Sequence, residues 1–273
     1  MNKLHFKIDD STDLYSFLFK LGLAKSTIDD LICHQAIFIN QKAVSNNQLL
    51  FYLDEITIER QPEKISIPLF CDHLQIIYED DFFLLVNKPK NMDSLSSKRH
   101  YEDNLSSRVA YYYQKKKIQS NIHIVNRLDY LTSGLMIFAK HGLMHQFFQN
   151  TKMTKKYLLK VQGHLKDKEG QIILKIKKSE NGIKRIVSPD GKTAITNYRV
   201  LKENSQDSII EATLVTGRTH QLRVSFSFLK HPIIGDELYG SSIQSPLQLC
   251  CYSLSFVHPI TKELLCFTLP FNF

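Results

Sequence analysis

The sequence has no apolar run approaching the ~18 residues that a membrane-spanning helix needs; stretches such as 82–86 stop far short. Residues 1–10 carry acids where a signal peptide would carry an apolar segment, so a soluble, cytoplasmic protein is expected. Cysteine is sparse and odd in number: Cys33, Cys71, Cys250, Cys251 and Cys266. None form a C-x-x-C pair, which argues against a disulfide framework or a zinc knuckle and leaves reduced, mostly packed thiols. There is no metal-ligand cluster and no glycine-rich nucleotide loop, so neither a metal nor a cofactor is expected. The histidines, including His123, His220 and His231, read as structural rather than metal-binding. Internal repeats and low-complexity tracts are absent.

What is present is a chain of 273 residues, 43% hydrophobic, enough for one substantial core and a second small one. The formal charge of +8 fits a polyanionic partner, although a basic surface also serves solubility alone. Leu14, Phe17, Leu18 and Leu21, then Ile28, Leu31 and Ile32, recur at helical spacing, and Ile37, Ile39, Ile56 and Ile58 alternate as in strands. Residues 1–60 thus read as a small helix–helix–strand–strand unit. Pro62 and Pro68 break the pattern and mark 61–73 as a linker. From 74 to 273 short strands dominate, at 82–86, 135–139, 157–161, 172–176, 193–201 and 209–215. Helices are fewer, near 103–117, 141–151 and 219–229. Without strict βαβ alternation, this predicts an α+β domain on a largely antiparallel sheet.

Three segments carry candidate chemistry. In Asn126-Arg127-Leu128-Asp129-Tyr130-Leu131-Thr132-Ser133-Gly134-Leu135 a carboxylate stands in a turn just before an apolar strand, where a loop residue can reach a substrate. Taken alone, a turn-capping aspartate is the plainer reading. Thr132-Ser133-Gly134 is not a nucleophile elbow, which needs glycine two before the serine, where this chain has Leu131. In Thr216-Gly217-Arg218-Thr219-His220-Gln221-Leu222-Arg223, Thr219 reads as a helix N-cap, and Leu222, Phe226 and Leu229 share one helix face. Arg223 then falls in the first turns, where the helix dipole disfavours a cation and a carboxylate partner is wanted; a solvated surface arginine is the alternative. Tyr157 opens a strand after Lys155-Lys156, and by itself would be a packing residue with a bonded hydroxyl.

Together these segments resemble the RluA family of pseudouridine synthases, whose hallmark is His-Arg-Leu-Asp-x-x-Thr-Ser-Gly-Leu. Val86-Asn87-Lys88-Pro89 looks like the family's entry strand and the stretch opening Gly191-Lys192-Thr193-Ala194 like its middle strand. Residues 217–223, then His231-Pro232-Ile233-Ile234-Gly235-Asp236 and Tyr239-Gly240, look like its closing signature. Several ordered motifs over 74–273 are far more specific than any one. The resemblance implies a pseudouridine synthase domain, on a mainly antiparallel mixed sheet, that isomerises uridines in structured RNA. It implies Asp129 as the catalytic aspartate, Tyr157 as the active-site tyrosine and Arg223 as the arginine paired with Asp129. Arg127, Thr132, Arg218, His220 and Gln221 are then expected at the substrate.

Moving a uracil from its C1′–N1 bond to a C1′–C5 bond needs no redox step and no net hydrolysis. One positioned carboxylate suffices, as a nucleophile or by taking a ribose proton, and the sequence leaves both routes open. Tyr157 would stack on the flipped base or help move the C5 proton, and Arg127 would fill the space the base vacates. Three positions depart from the family pattern: Asn126 and Ser225 replace histidines, and residues 88–93 lack the usual Gly-x-x-x-His-Pro continuation. These bear on the pocket wall, and so on substrate choice more than chemistry.

Residues 14–58 resemble a degenerate S4 RNA-binding domain, on Lys25-Ser26, Ile37-Phe38-Ile39-Asn40-Gln41-Lys42 and Asp54-Glu55-Ile56, with two of that pattern's glycines missing. Residues 1–60 hold six Lys or Arg against eight Asp or Glu, so most attraction for phosphate must come from the rest of the chain. Lys115-Lys116-Lys117 and the lysines of 152–156 are candidates. The S4-like start inclines the target toward ribosomal rather than transfer RNA, and a monomer is the default. The rivals are an RNA-binding protein of the same fold without turnover, and a glycosidase-like hydrolase. The latter would want a second carboxylate where the closing motif offers Arg223.

Overall fold

The computed structural model describes residues 3–96 and 101–270. Its first part comprises β1 (Lys3–Lys7), β2 (Thr12–Asp13), α1 (Leu14–Lys20), α2 (Lys25–Cys33), β3 (Ile37–Ile39), β4 (Lys42–Ala43), β5 (Leu49–Leu50) and β6 (Glu55–Glu59). The second begins with β7 (Ile76–Glu79), β8 (Phe83–Lys88), α3 (Leu105–Lys116), β9 (His123–Ile124), β10 (Ser133–Ala139) and α4 (Gly142–Gln149). It continues with β11 (Met153–Gln162), β12 (Glu169–Lys178), β13 (Arg185–Val187), β14 (Lys192–Glu203), β15 (Asp207–Leu214), α5 (Gln221–Phe228), β16 (Leu249–Val257) and β17 (Leu264–Thr268).

The first part forms a four-stranded sheet, β1-β6-β3-β4, with β2 paired to β5. The second forms an eleven-stranded sheet in the order β13-β12-β14-β15-β11-β16-β10-β8-β7, with β17 added on β16 and β9 on β10. Among the described residues its pairs are antiparallel save one, β10 with β16, which run parallel through Ser133↔Cys250 and Gly134↔Cys251. The sheet is therefore mixed, with few helices. The predicted strands are present and mostly longer, and β1, which the sequence pattern does not announce, pairs along β6 from Lys3↔Glu59 to Lys7↔Glu55.

The unbroken apolar runs of β8 and β10 follow from a sheet buried on both faces. Phe83, Leu85, Leu135 and Ile137 point into one core; Leu84, Val86, Met136 and Phe138 point into the other. The second core lies under α3, through Leu105, Val109 and Tyr113. The first is continuous with the interior of the N-terminal part, so Leu4, Leu14, Leu18 and Ile28 belong to the same apolar cluster as Phe147, Phe148 and Phe256. At that seam the Phe6 ring meets Phe17 edge-on at 5.8 Å and Phe147 edge-on at 6.3 Å, and Ala24 N–H donates to Gln146 Oε1 at 3.1 Å.

The segment expected to be a linker has no regular structure, yet it is fastened to the second part. Glu63 accepts hydrogen bonds from His123 Nε2–H (2.7 Å) and from the backbone N–H groups of Gly142 (2.9 Å) and Asn121 (2.9 Å). Burial alone would raise its carboxyl, but these bonds and the nearby His141 outweigh it and hold the pKa at about 2. Because the folded value lies below the ordinary 4.5, this stabilisation is fully present above pH 4.5 and is lost as pH falls toward 2. Glu63→Gln is expected to lower unfolding free energy by about 1–3 kcal/mol at pH 7. In urea titrations that deficit should shrink by more than half at pH 3.

Candidate active site

The turn that carries Asp129 enters β10 where the sheet switches to its parallel pair, and three fastenings fix it there. Lys88, fully buried at the end of β8, donates from Nζ to the carbonyls of Met92 (2.8 Å), Pro89 (2.9 Å) and Tyr130 (3.2 Å). Burial pushes its pKa down to about 8 against the opposing pull of Asp129 and Asp93. Ser94 Oγ–H donates to Leu128 O at 2.7 Å. The amide of Asn126, at the position of a family histidine, accepts from Ile137 N–H (2.8 Å) and donates to Leu135 O (3.1 Å), stitching the turn to β10. Gly134 lies at φ +120°, and a Cβ there would sit 2.3 Å from Cys251 O, so only glycine lets β10 approach β16 this closely.

Opposite the turn, β11 supplies Tyr157, buried and paired across to Ala212 and Cys251 beside a bulge in the β11–β16 ladder. Burial first, and then Cys251 and Asp129 nearby, push its phenol pKa well above the ordinary value, so the hydroxyl stays protonated. A neutral phenol can donate a hydrogen bond or stack on a base; it is not poised as a phenolate base.

The third wall is α5 and the turn before it. Thr219 was expected to cap this helix, but α5 begins at Gln221 and its N-cap is His220, left-handed at φ +57° with no side-chain cap bond. The turn is closed instead by Gln221, whose buried amide uses its full bonding capacity. Oε1 accepts from Thr216 Oγ1–H (3.0 Å) and Arg218 N–H (2.9 Å), while Nε2 donates to Ile195 O (3.0 Å) and Thr196 Oγ1 (2.9 Å). Gln221, expected at the substrate, does line the cleft, but its polar atoms are bonded within the protein.

The expected ion pair between Arg223 and Asp129 is also replaced. Arg223, 4% exposed, forks onto Asp236, 0% exposed, with Nε and Nη2 each 2.7 Å from a carboxylate oxygen. A fully buried carboxylate must have a partner, and the two parallel bonds satisfy both of its oxygens. The guanidinium lies 4.8 Å over the Tyr239 ring, and its Nη1 donates to His220 Nε2 at 3.3 Å. With Nε2 accepting, the neutral imidazole carries its proton on Nδ1, an assignment from bonding pattern, and donates it to Tyr239 Oη at 2.7 Å. Burial lowers the His220 pKa, with Arg223 adding to that and Asp129 opposing. Its Nε2 stands 3.9 Å from Asp129 Oδ2. Asp129 itself is 34% exposed and opens onto the cleft.

These walls enclose a cleft of about 860 Å³ that brings together Arg127, Asp129, Thr132, Tyr157, Arg218, His220 and Arg223. Thr132 Oγ1 is buried and has no hydrogen-bond partner among the described residues. Arg127 and Arg218 are exposed at the mouth, Arg218 Nε donating to Thr193 O at 3.0 Å. Sequence reasoning missed Lys88, Ser94, Asp236 and Tyr239 as organisers of the site. Three of them stood inside quoted motifs, but nothing in a linear motif shows which carboxylate meets which guanidinium.

A protein-family model described as RNA pseudouridylate synthase matches residues 82–228. YhcT of Bacillus subtilis, described as an uncharacterized RNA pseudouridine synthase, is 35% identical over 262 residues, covering 92% of this chain and 86% of that one. The dual-specificity RNA pseudouridine synthase RluA of Vibrio parahaemolyticus is 34% identical over 214 residues, 72% of this chain and 83% of that one. The ribosomal large subunit pseudouridine synthase D of Borreliella burgdorferi is 35% identical over 205 residues, 70% of this chain and 63% of that one. In fold, the chain is similar to human RNA pseudouridylate synthase domain containing 1, with a TM-score of 0.61 at 24% identity over 74% of this chain and 85% of that one. The chain belongs to the RNA pseudouridine synthases, in their RluA-like branch, and is an RNA-modifying isomerase.

Gln221→Ala removes four hydrogen bonds and is expected to lower stability by about 2–4 kcal/mol, read from chemical denaturation. Arg218→Ala, at the exposed mouth, should leave stability within about 0.5 kcal/mol and weaken RNA binding instead. The opposite ranking would show that Gln221 is a ligand group and Arg218 a structural one.

Proposed function

We propose that this enzyme isomerises uridines in unpaired segments of structured large-subunit ribosomal RNA, with Asp129 as the reacting carboxylate. The observation that carries this reading is the placement of a one-third-exposed Asp129 in a cleft where Gln221 and Arg223 are bonded within the protein. The target follows the relative named for the ribosomal large subunit, together with the S4-like pattern of residues 1–60, which we read as a second RNA-contacting module ahead of the catalytic domain. We take the enzyme to work as a monomer on cytoplasmic RNA.

In this scheme the uridine leaves its stack and enters the cleft, a step costing a few kcal/mol that is least in loops. Arg127, Arg218 and Lys155 line the cleft and meet the flanking phosphates. The protonated Tyr157 packs on the uracil. Asp129 then either attacks C1′, displacing the uracil, and is itself displaced when C5 bonds to C1′, or it takes a ribose proton as the C1′–N1 bond breaks and returns it as C5 bonds to C1′; in both routes the uracil turns, and the C5 proton is lost while N1 gains one. Arg223 acts as a positioning residue: its charge is spent on Asp236, and it reaches the reaction through the neutral His220 beside Asp129.

The test is a pseudouridine map, by carbodiimide-adduct sequencing, of total RNA from the source organism after deletion and after rescue with wild type or Asp129→Asn. One or more ribosomal sites should vanish on deletion and return only with wild type. Return with Asp129→Asn, or an unchanged map, overturns the proposal.

A further inference from the structure

At the end of β6, on the seam between the two parts of the molecule, Arg60 is 9% exposed. Its Nε is buried and has no hydrogen-bond partner among the described residues. Of the two carboxylates that attract it, Glu63 is committed to His123, Gly142 and Asn121, and Asp81, the larger influence, is exposed, lines the same cavity and forms no ion pair with Arg60 among the described residues. A guanidinium nitrogen desolvated without a hydrogen-bond partner is costly, and an anion entering beside it would satisfy it.

Arg60 lines a cavity of about 200 Å³ together with Asp81, Lys117, Gln119, Lys140 and His141. At ~30 Å³ per water, that is room for one phosphate group and a few waters. Three cationic residues and one carboxylate line the cavity. Lys117 is exposed at the rim, at the left-handed C-cap of α3, while Lys140 is paired with Glu79 at 2.7 Å and donates to Asp80 O, so Arg60 and Lys117 carry most of the unmet charge. His141 is held neutral by burial and donates from Nε2 to Gln61 O at 2.9 Å, so it adds no charge to the cavity. The cavity lies at the Lys140 end of β10, roughly 23 Å from the Ser133 end that adjoins Asp129, at ~3.3 Å per residue.

We propose that Arg60, Lys117 and Lys140 form an oxyanion site that takes one phosphate group, supplied by the backbone of the RNA whose uridine occupies the cleft. The site itself stands apart from the isomerase reading; only the RNA as source rests on it. A phosphate gripped this far from Asp129 would set the register of the RNA strand across the N-terminal part without reading its sequence.

The experiment uses the full chain as wild type, Arg60→Gln and Lys117→Asn, the last keeping a residue that tolerates φ > 0. Melting temperature is measured in sodium phosphate against sodium chloride of equal ionic strength, and affinity for ribosomal RNA fragments is measured across a salt series. Phosphate should raise the wild-type melting temperature by roughly 2–4 °C, with the effect abolished in Arg60→Gln and about halved in Lys117→Asn. RNA affinity should fall about 3–10-fold in Arg60→Gln, with a log–log salt slope shallower by about one. If Arg60→Gln does not fold, Lys117→Asn carries both comparisons. Loss of the phosphate effect with unchanged RNA affinity supports the site but overturns RNA as the source, making free phosphate its occupant. No phosphate effect in wild type and unchanged RNA affinity in the variants overturns the site altogether. Both arms read binding, so they remain decisive even for an RNA that is bound and not isomerised.

Discussion

The buried pair of Arg223 and Asp236 is the contact on which the cleft depends. It joins α5 to the turn at 235–240, a turn that Gly235 makes possible at φ +80°, where a Cβ would lie 2.5 Å from Ser245 O. Removing one partner of such a pair typically costs about 3–5 kcal/mol, because the other charge is left buried and alone. The pair also sets the chemistry above it. The guanidinium fixes the Tyr239 ring, Tyr239 Oη receives the His220 proton, and His220 is thereby presented, uncharged, to Asp129.

The opposing wall is built by different means to the same end. Lys88 gathers three carbonyls beneath the Asp129 turn, and Gly134 lets β10 press against β16. Between these walls Asp129, one-third exposed, opens to a substrate. This is preorganisation in the sense that matters for catalysis: dipoles and charges are oriented before the reaction begins.

Much of this was legible in the sequence. The strands of the large sheet follow from apolar runs, and the residues gathered at the cleft follow from motif order, which locates Asp129, Tyr157 and the 216–223 turn without any coordinates. What was not legible is pairing. Arg223 at the start of a helix called for a carboxylate, and the family resemblance implied Asp129, but Asp236 is fully buried and so has the stronger need. Thr219 suits an N-cap by residue type, yet Gln221 closes the turn from inside, a competition that propensity does not express. The N-terminal pattern showed helices and strands but not β1, whose alternation is short, nor that its apolar residues run into the core of the large sheet. Spacing reports which face a residue shares locally; it does not report what covers that face.

The most direct measurement is the single-turnover rate of pseudouridine formation by Asp236→Asn at saturating RNA, at a temperature where circular dichroism shows the variant folded. If the pair orients the site, the rate should fall by about 100-fold, the scale of a 1 Å misplacement, while RNA affinity stays within about threefold. A folded variant turning over within a few-fold of wild type would contradict the central role of the Arg223–Asp236 pair.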